Sequence, residues 1–423
     1  MCMNRNAVFG LCLAIGLLVL LACAPPSTTV PTPIPSGVSV TLPHSPTPSA
    51  TLPQTHTDAG GFWSIRYPAG WTVRQARSET QFRPTESSPA FLGVSLHVKA
   101  RDPEAFAASV VELLRSRASD FQTIDEGPKT GDRSPGWQVG YRRTVGGEEQ
   151  RGTLVCLVRY RIGYVLMGEA PASEFDAHQP DFEAMVASFH PTDFPGVVPY
   201  EQWETRRTAH LVFHYPPDST PARDIDRIDR LYNSAYDDNA TYLGITLDRP
   251  IDVYLYPTRD VRRHMTARDF GFAMVTEYEV HSLWAADEQQ SPGHEVVHVL
   301  TGNGWGDPST GSGQAPAEAL LGEGIAVWLD HSGRDHHRQA ADLLASGKLL
   351  PIRDILGDGW FQHDGAITYP EAGSFVGFML ENLGVRKFKR IYLAKDFEAE
   401  LQAAVGWTLP DLEASWHETL RKY

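Results

Sequence analysis

The sequence predicts an α+β protein with two folded domains: a small antiparallel sheet with flanking helices, then a mainly helical domain that opens with a small sheet. Three observations lead there. At 423 residues the chain exceeds the usual size of a single domain. Strand-like alternation crowds residues 58–196, whereas helical spacing dominates residues 198–423. Residues 1–57 show neither pattern. The formal net charge of −15 falls almost entirely after about residue 200, with no basic run. An acidic surface repels phosphate backbones, which argues against a nucleic-acid partner.

The N-terminus carries one positive charge, Arg5, and then the apolar run "LCLAIGLLVLLA". That run is long enough for the apolar part of a signal peptide and short for a membrane span. It ends in "LLAC", Leu20 to Cys23. A small residue before a cysteine at this place resembles the lipobox of bacterial lipoproteins, although leucine is less usual at its second position. An ordinary secretory signal or an uncleaved anchor also fits the residues. The resemblance implies removal of residues 1–22, a lipid on Cys23, and attachment to the membrane at the outer face of the bacterial cell envelope. Residues 23–57 then form a tether. Ala24 to Thr57 contains no charged residue, nine prolines and 13 serines or threonines. Such a stretch has too little apolar surface to offset chain entropy and is expected to be extended and disordered. Cys2 and Cys12 would leave with the signal, so Cys156 is the one thiol left, a buried small hydrophobe without an intramolecular disulfide partner.

Elements of the first domain follow in order. "GGFWSIRYPAGWTVRQ" reads as a β-hairpin around Pro-Ala-Gly, and "AFLGVSLHVKA" as a strand. "DPEAFAASVVELLRSRA" has an acidic start and apolar residues at Phe106, Val110, Leu113 and Leu114, the spacing of a helix. The run from Gly136 to Ala170 gives strand, Gly-Gly turn, strand, short turn, strand. "EFDAHQPDFEAMVASFHP" closes the domain as an amphipathic helix with Phe182, Met185, Val186 and Phe189 on one side. "FWSIRYPAGW" at the start and "FEAMVASF" at the end resemble the PsbP-like group, which includes bacterial lipoproteins. These are markers of a fold and carry no chemistry, and a packed accessory or docking domain is expected.

In the second domain "AHLVFHYPP" is a strand, and a long helix follows with Pro221 early and Gly244 as its stop. "PIDVYLYP" is a strand, "TRDVRRHMTAR" a short helix, and "GFAMVTEYEVHSLWAAD" one or two strands. Then comes "SPGHEVVHVLTGNGWG", with His294, Glu295 and His298. Residues four apart share a helix face, so two imidazoles can point at one metal ion. Glu295, one residue round, can reach a water on that ion without ligating. Zinc brings the pKa of such a water towards ~7, and a carboxylate can then take its proton during attack on a carbonyl carbon. Two histidines and a glutamate on a surface helix fit the same letters, so a third ligand decides. Past a Gly/Ser/Pro-rich loop, "AEALLGEGIAVWLDHSG" looks like a second helix, with Glu323 placed 25 residues after His298.

These segments resemble the peptidase MA-like gluzincins. "GEGIAVWL" is similar to their glutamate-bearing helix, "TYPEAGSFVGFMLENLG" to the helix after it, "LEASWHETL" to their last helix, and the strand–helix–strand entry before residue 257 to theirs. The resemblance implies one Zn2+ per chain held by His294, His298 and Glu323, and Glu295 as general base and later acid. It also implies a late tyrosine or histidine as donor to the oxyanion, Tyr369 or else His363. Two departures stand out. Many gluzincins carry an acid four residues after the glutamate ligand, where this chain has Val327; Asp330 lies two turns on along the same face, and this departure leaves the partner that orients the histidines open. Val275 and Thr276 stand where zinc aminopeptidases place a glutamate for the substrate's amino terminus, so aminopeptidase action is not implied. "HSGRDHHR", with His331, His336 and His337, reads as a polar connection between helices. The expected activity is a zinc metallopeptidase acting on a peptide or protein substrate. The alternatives are a tethered binding or assembly lipoprotein on a non-catalytic scaffold, or a zinc hydrolase of a non-peptide amide.

Overall fold

A computed structural model describes residues 51–423 apart from 77–78, 99, 119, 130–133 and 306–317. The signal segment 1–22, Cys23, most of the tether and the Gly/Ser-rich loop after His298 lie outside the described residues. Among those described, no helix is long and apolar enough to cross a membrane. The chain divides into two bodies. One takes the described residues up to Pro199 together with Asp260–Arg268, and the other takes Tyr200–Arg259 and Asp269–Tyr423.

The first body contains β1 (Gln54–Thr57), β2 (Trp63–Tyr67), β3 (Thr72–Gln75), β4 (Glu79–Arg83), β5 (Phe91–Val98), α1 (Pro103–Arg117), β6 (Gln122–Lys129), β7 (Gly136–Val145), β8 (Glu148–Arg159), β9 (Ile162–Pro171), α2 (Phe175–Ser188) and β10 (His190–Pro191). Seven strands form an antiparallel sheet in the order β3-β4-β5-β9-β8-β7-β6, and β1-β2-β10 form a smaller one. The α1 helix starts where the sequence indicates, capped by Asp102 accepting from the Ala105 N–H. One core cluster, including Phe182 and Met185 of α2, lies against one face of the large sheet, and another, including Val110 and Leu114 of α1, against strands β7 to β9. Cys156, fully buried in β8, has its thiol pushed up to about 12 by burial.

Two expectations need correction here. The "FWSIRYPAGWTV" stretch turns at Pro68, with Gly70 at φ 82°, but β2 and β3 do not pair with each other. β2 pairs with β1 and β10, while β3 pairs with β4. A turn signal fixes a change of direction; partner choice is made by strands elsewhere in the chain. The disordered tether, read through Thr57, ends earlier, because Gln54–Thr57 pair with Ser64–Tyr67 as β1. The first body therefore begins before residue 58.

The second body contains β11 (Glu204–Arg207), β12 (Leu211–Tyr215), α3 (Thr220–Leu243) and β13 (Ile251–Tyr256). After α4 (Arg259–Thr266), which spans the division between the bodies, come β14 (Phe272–Met274), β15 (Glu279–Leu283), α5 (His294–Gly304) and α6 (Glu318–Trp328). The remaining helices are α7 (His336–Ala345), α8 (Gly365–Leu383), α9 (Val385–Tyr392), α10 (Phe397–Val405) and α11 (Leu409–Leu420). Its sheet runs β11-β12-β13-β15-β14, with β12, β13 and β15 parallel and antiparallel strands at both edges. Ser219 caps α3 and Gly244 ends it at φ 65°, the local signals that the sequence carries for this element. One apolar core joins the sheet to α5, α6 and α8.

Candidate metal centre

Helix α5 has 11 residues and no side-chain N-cap. A helix this short is marginal alone and depends on packing. Val296, Val297, Val299 and Leu300 are fully buried; each such side chain contributes roughly 1.5–3 kcal/mol of hydrophobic stabilisation. Burial of that face leaves His294 and His298 on the other. The start of α5 is fixed by the end of α6: the Gly293 N–H donates to the Asp330 carbonyl at 3.0 Å. A Cβ at Gly293 would stand 2.3 Å from the Leu329 carbonyl oxygen, so only glycine permits this approach. At the other end Asn303 donates to the Val275 carbonyl at 2.8 Å, tying α5 to the turn between β14 and β15.

Helices α6 and α8 also meet closely. A Cβ at Gly324 would fall 2.5 Å from Val376, one at Gly373 2.4 Å from Val327, and one at Gly377 2.4 Å from Trp328. Val327, where many gluzincins carry an acid, thus fills the α8 interface. The same contacts set Glu323 and the start of α8 beside α5.

Among the described residues, His294, His298 and Glu323 form the one group of three metal-ligating side chains whose donor atoms all lie within 4.8 Å of one another. Glu323 Oε2 is 3.3 Å from His294 Nε2 and 3.5 Å from His298 Nε2. Ligands at about 2.0–2.1 Å from a tetrahedral zinc are themselves separated by roughly 3.3 Å. Donor types and spacing therefore fit zinc. Burial opposes charge on Glu323, but the two imidazoles override it and hold the carboxyl well below its usual range. Burial likewise opposes charge on His298, and Glu323 outweighs it, lifting that pKa to about 9. Glu295, the neighbouring carboxylate, is 8% exposed.

Tyr369 is brought to the same place. Its ring lies 6.2 Å from that of His294 and is backed by Trp360 at 5.3 Å. Burial of the phenol, then the charges of Glu323 and Glu295, push its pKa above the ordinary tyrosine value. His363 is exposed, and among the described residues no hydrogen bond or ring contact links it to the ligand group. Asp330 does not orient the ligand histidines with its carboxylate. That group accepts from the Ser332 N–H at 2.7 Å and faces His336 at 3.6 Å; its contribution to the centre runs through its backbone carbonyl.

"HSGRDHHR" connects α6 to α7 through residues 331–335, as its polar makeup indicates, but its last three residues form the start of α7. His336 and His337 are buried in the first turn of α7. His337 Nδ1 lies 2.8 Å from Ser374 Oγ, which also accepts from Trp416 Nε1 at 3.0 Å, so the imidazole joins α7 to α8 and α11. The sequence reading also passed over Glu371, one turn before Ser374. It is fully buried, and its Oε2 accepts from the Leu350 N–H at 3.1 Å. Burial, partly offset by that bond and reinforced by Glu413, raises its pKa to about 8. A glutamate placed at the head of the small and apolar residues that run from Ala372 to Leu380 is the signal that would have singled it out.

No family model and no curated protein matches the chain. Among solved structures it is similar to cyanobacterial PsbP (CyanoP) from Synechocystis sp. PCC 6803, with 13% identity over 33% of this chain and 92% of that one, and a TM-score of 0.29. It is also similar to LpqN, described as involved in cell envelope biogenesis of Mycobacterium tuberculosis, with 15% identity over 33% of this chain and 91% of that one, at a TM-score of 0.25. A protein of unknown function from Pseudomonas aeruginosa, a putative regulator by its description, shares 14% identity over 33% of this chain and 98% of its own, at 0.26. The structural neighbours of this α+β chain thus include PsbP-like domains, each aligned over a third of its length.

Proposed function

We propose that the protein is an exported, lipid-anchored zinc metallopeptidase of gluzincin type, tethered through Cys23 to the bacterial cell envelope. The observation that carries this reading is the convergence of His294 Nε2, His298 Nε2 and the Glu323 carboxylate on one point, with Glu295 on the adjoining helix position and Tyr369 alongside. Bound zinc would supply Lewis acidity and an acidified water at that point. The chain's own groups do the rest. Glu295 takes a proton from the attacking water as its oxygen bonds to the substrate carbonyl carbon. Tyr369 donates a hydrogen bond to the carbonyl oxygen as negative charge builds there. Glu295 then gives its proton to the amide nitrogen, and the carbon–nitrogen bond breaks to release the amine. His294 and His298, neutral when they ligate, hold the geometry through the packed face of α5.

Full-length protein loaded with zinc and incubated with a diverse peptide library is expected to cut amide bonds. Glu295→Gln is expected to lower turnover by at least ~10²-fold while keeping zinc, since a positioned general base contributes about that much. A zinc-loaded protein that leaves the library intact would instead favour a tethered binding lipoprotein, or a non-peptide amide as substrate.

A further inference from the structure

The buried face of α3 runs through Ile228, Tyr232, Ala235, Tyr236, Asn239 and Leu243. Asn239 is the member of that stripe whose side chain ends in an amide, and it is 1% exposed. An amide taken out of water costs stability unless both of its ends are bonded. Both ends of this one reach the residues that follow α6. Nδ2 donates to the Leu329 carbonyl at 3.1 Å, and Oδ1 lies 3.0 Å from His331 Nε2. An amide oxygen only accepts, so the imidazole donates from Nε2. The amide thus straddles Asp330, with one bond on each side.

His331 adds a second observation. Its φ is 57°, in the left-handed region that glycine adopts without steric cost. Helices commonly end on a glycine in that conformation. A histidine there is strained, and such strain persists where the surroundings hold it, often at functional sites. What the imidazole supplies and glycine lacks is the bond to Asn239. The two carbonyls next to it are the ones that receive α5. The Gly293 N–H donates to the Asp330 carbonyl, and the Leu329 carbonyl oxygen stands 2.3 Å from where a Cβ on Gly293 would fall. His294 is the next residue, and Glu323 lies on α6 itself. α3 is fixed in turn on the sheet side. Tyr232 donates to Ser282 of β15 at 2.8 Å, and Trp284, just past β15, donates to Asp224 at 2.9 Å. One helix therefore links the sheet to the junction of the two ligand-bearing helices.

We propose that Asn239 and His331 are positioning residues of the metal centre: they clamp the end of α6, whose carbonyls set where α5 starts and so where His294 meets Glu323. The inference rests on the reading of His294, His298 and Glu323 as a zinc site; neither Asn239 nor His331 is itself a ligand. Full-length wild type, Asn239→Ala, His331→Gly and Ile228→Val are titrated with zinc against a chelating dye and, separately, loaded with cobalt(II) for absorption spectra. His331→Gly removes the imidazole at a φ that suits glycine. Ile228→Val shortens a buried side chain of the same helix, eleven residues and roughly 16 Å before Asn239, and controls for a general loss of stability, read by thermal melting. Asn239→Ala and His331→Gly are each expected to weaken zinc binding about tenfold, the lower end of the effect of losing a group that orients metal ligands, and to change the cobalt spectrum. Ile228→Val is expected to melt lower while keeping the zinc affinity and cobalt spectrum of the wild type. Wild-type zinc affinity in either clamp variant overturns the proposal, as does equal weakening by Ile228→Val. A wild type that binds neither metal is a separate result: it overturns the zinc reading, and this inference with it.

Discussion

Two side chains on α8 separate catalysis from stability. The Tyr369 ring lies 6.2 Å from that of His294, and its phenol feels the charges of Glu323 and Glu295, so Tyr369→Phe removes a donor and little else. The expected loss in kcat is about 10²-fold, the size of one oxyanion donor, with zinc content and melting temperature retained. A variant with full kcat would remove Tyr369 from the mechanism. Glu371, two residues on, acts in the fold. Its pKa of about 8 in the folded protein stands against an ordinary glutamate value of 4.5. Between those values the unfolded chain gives up the proton first, so the stability that Glu371 contributes is complete below about 4.5 and is lost as pH rises to about 8. Glu371→Gln keeps an acceptor for the Leu350 N–H and removes the titration. Its melting temperature is expected to exceed that of the wild type at pH 8 and to decline less between pH 5 and 8. Parallel pH profiles for the two proteins would show that Glu371 ionises as an ordinary carboxyl.

At the scale of elements, the centre depends on how closely three helices approach one another. α5 reaches α6 through Gly293, and α6 reaches α8 through Gly324, Gly373 and Gly377. Gly293→Ala places a methyl against backbone, which cannot rotate away. Overpacking of this kind costs typically 1–3 kcal/mol, and here the strain falls one residue before His294. The variant is expected to melt lower and to bind zinc more weakly than the wild type, measured by differential scanning calorimetry and competition with a chelating dye. Unchanged zinc affinity would mean that the α5–α6 junction does not position His294. What the sequence disclosed about elements followed how local their signals are. α3 is written in Ser219, Pro221 and Gly244, and α5 and α6 in apolar runs. β6 was missed because it is an edge strand exposed along most of its length, with no alternation to read. The β2–β3 hairpin was misread because β2 finds β10 more than 120 residues away.

On the whole-molecule scale, the convergence of His294, His298 and Glu323 was legible because two of them share one helix turn and the third follows at a spacing that the gluzincin resemblance supplies. Burial of His337 and Glu371 was not legible, since it is decided by Ser374, Trp416, Leu350 and Glu413 arriving from other elements. The direct test of the central claim is the zinc content of full-length protein after exhaustive dialysis, compared with Glu323→Ala and His298→Ala. One zinc per chain in the wild type and far less in both variants is the predicted result. Absence of stoichiometric zinc from the wild type, or equal zinc in all three proteins, would contradict it.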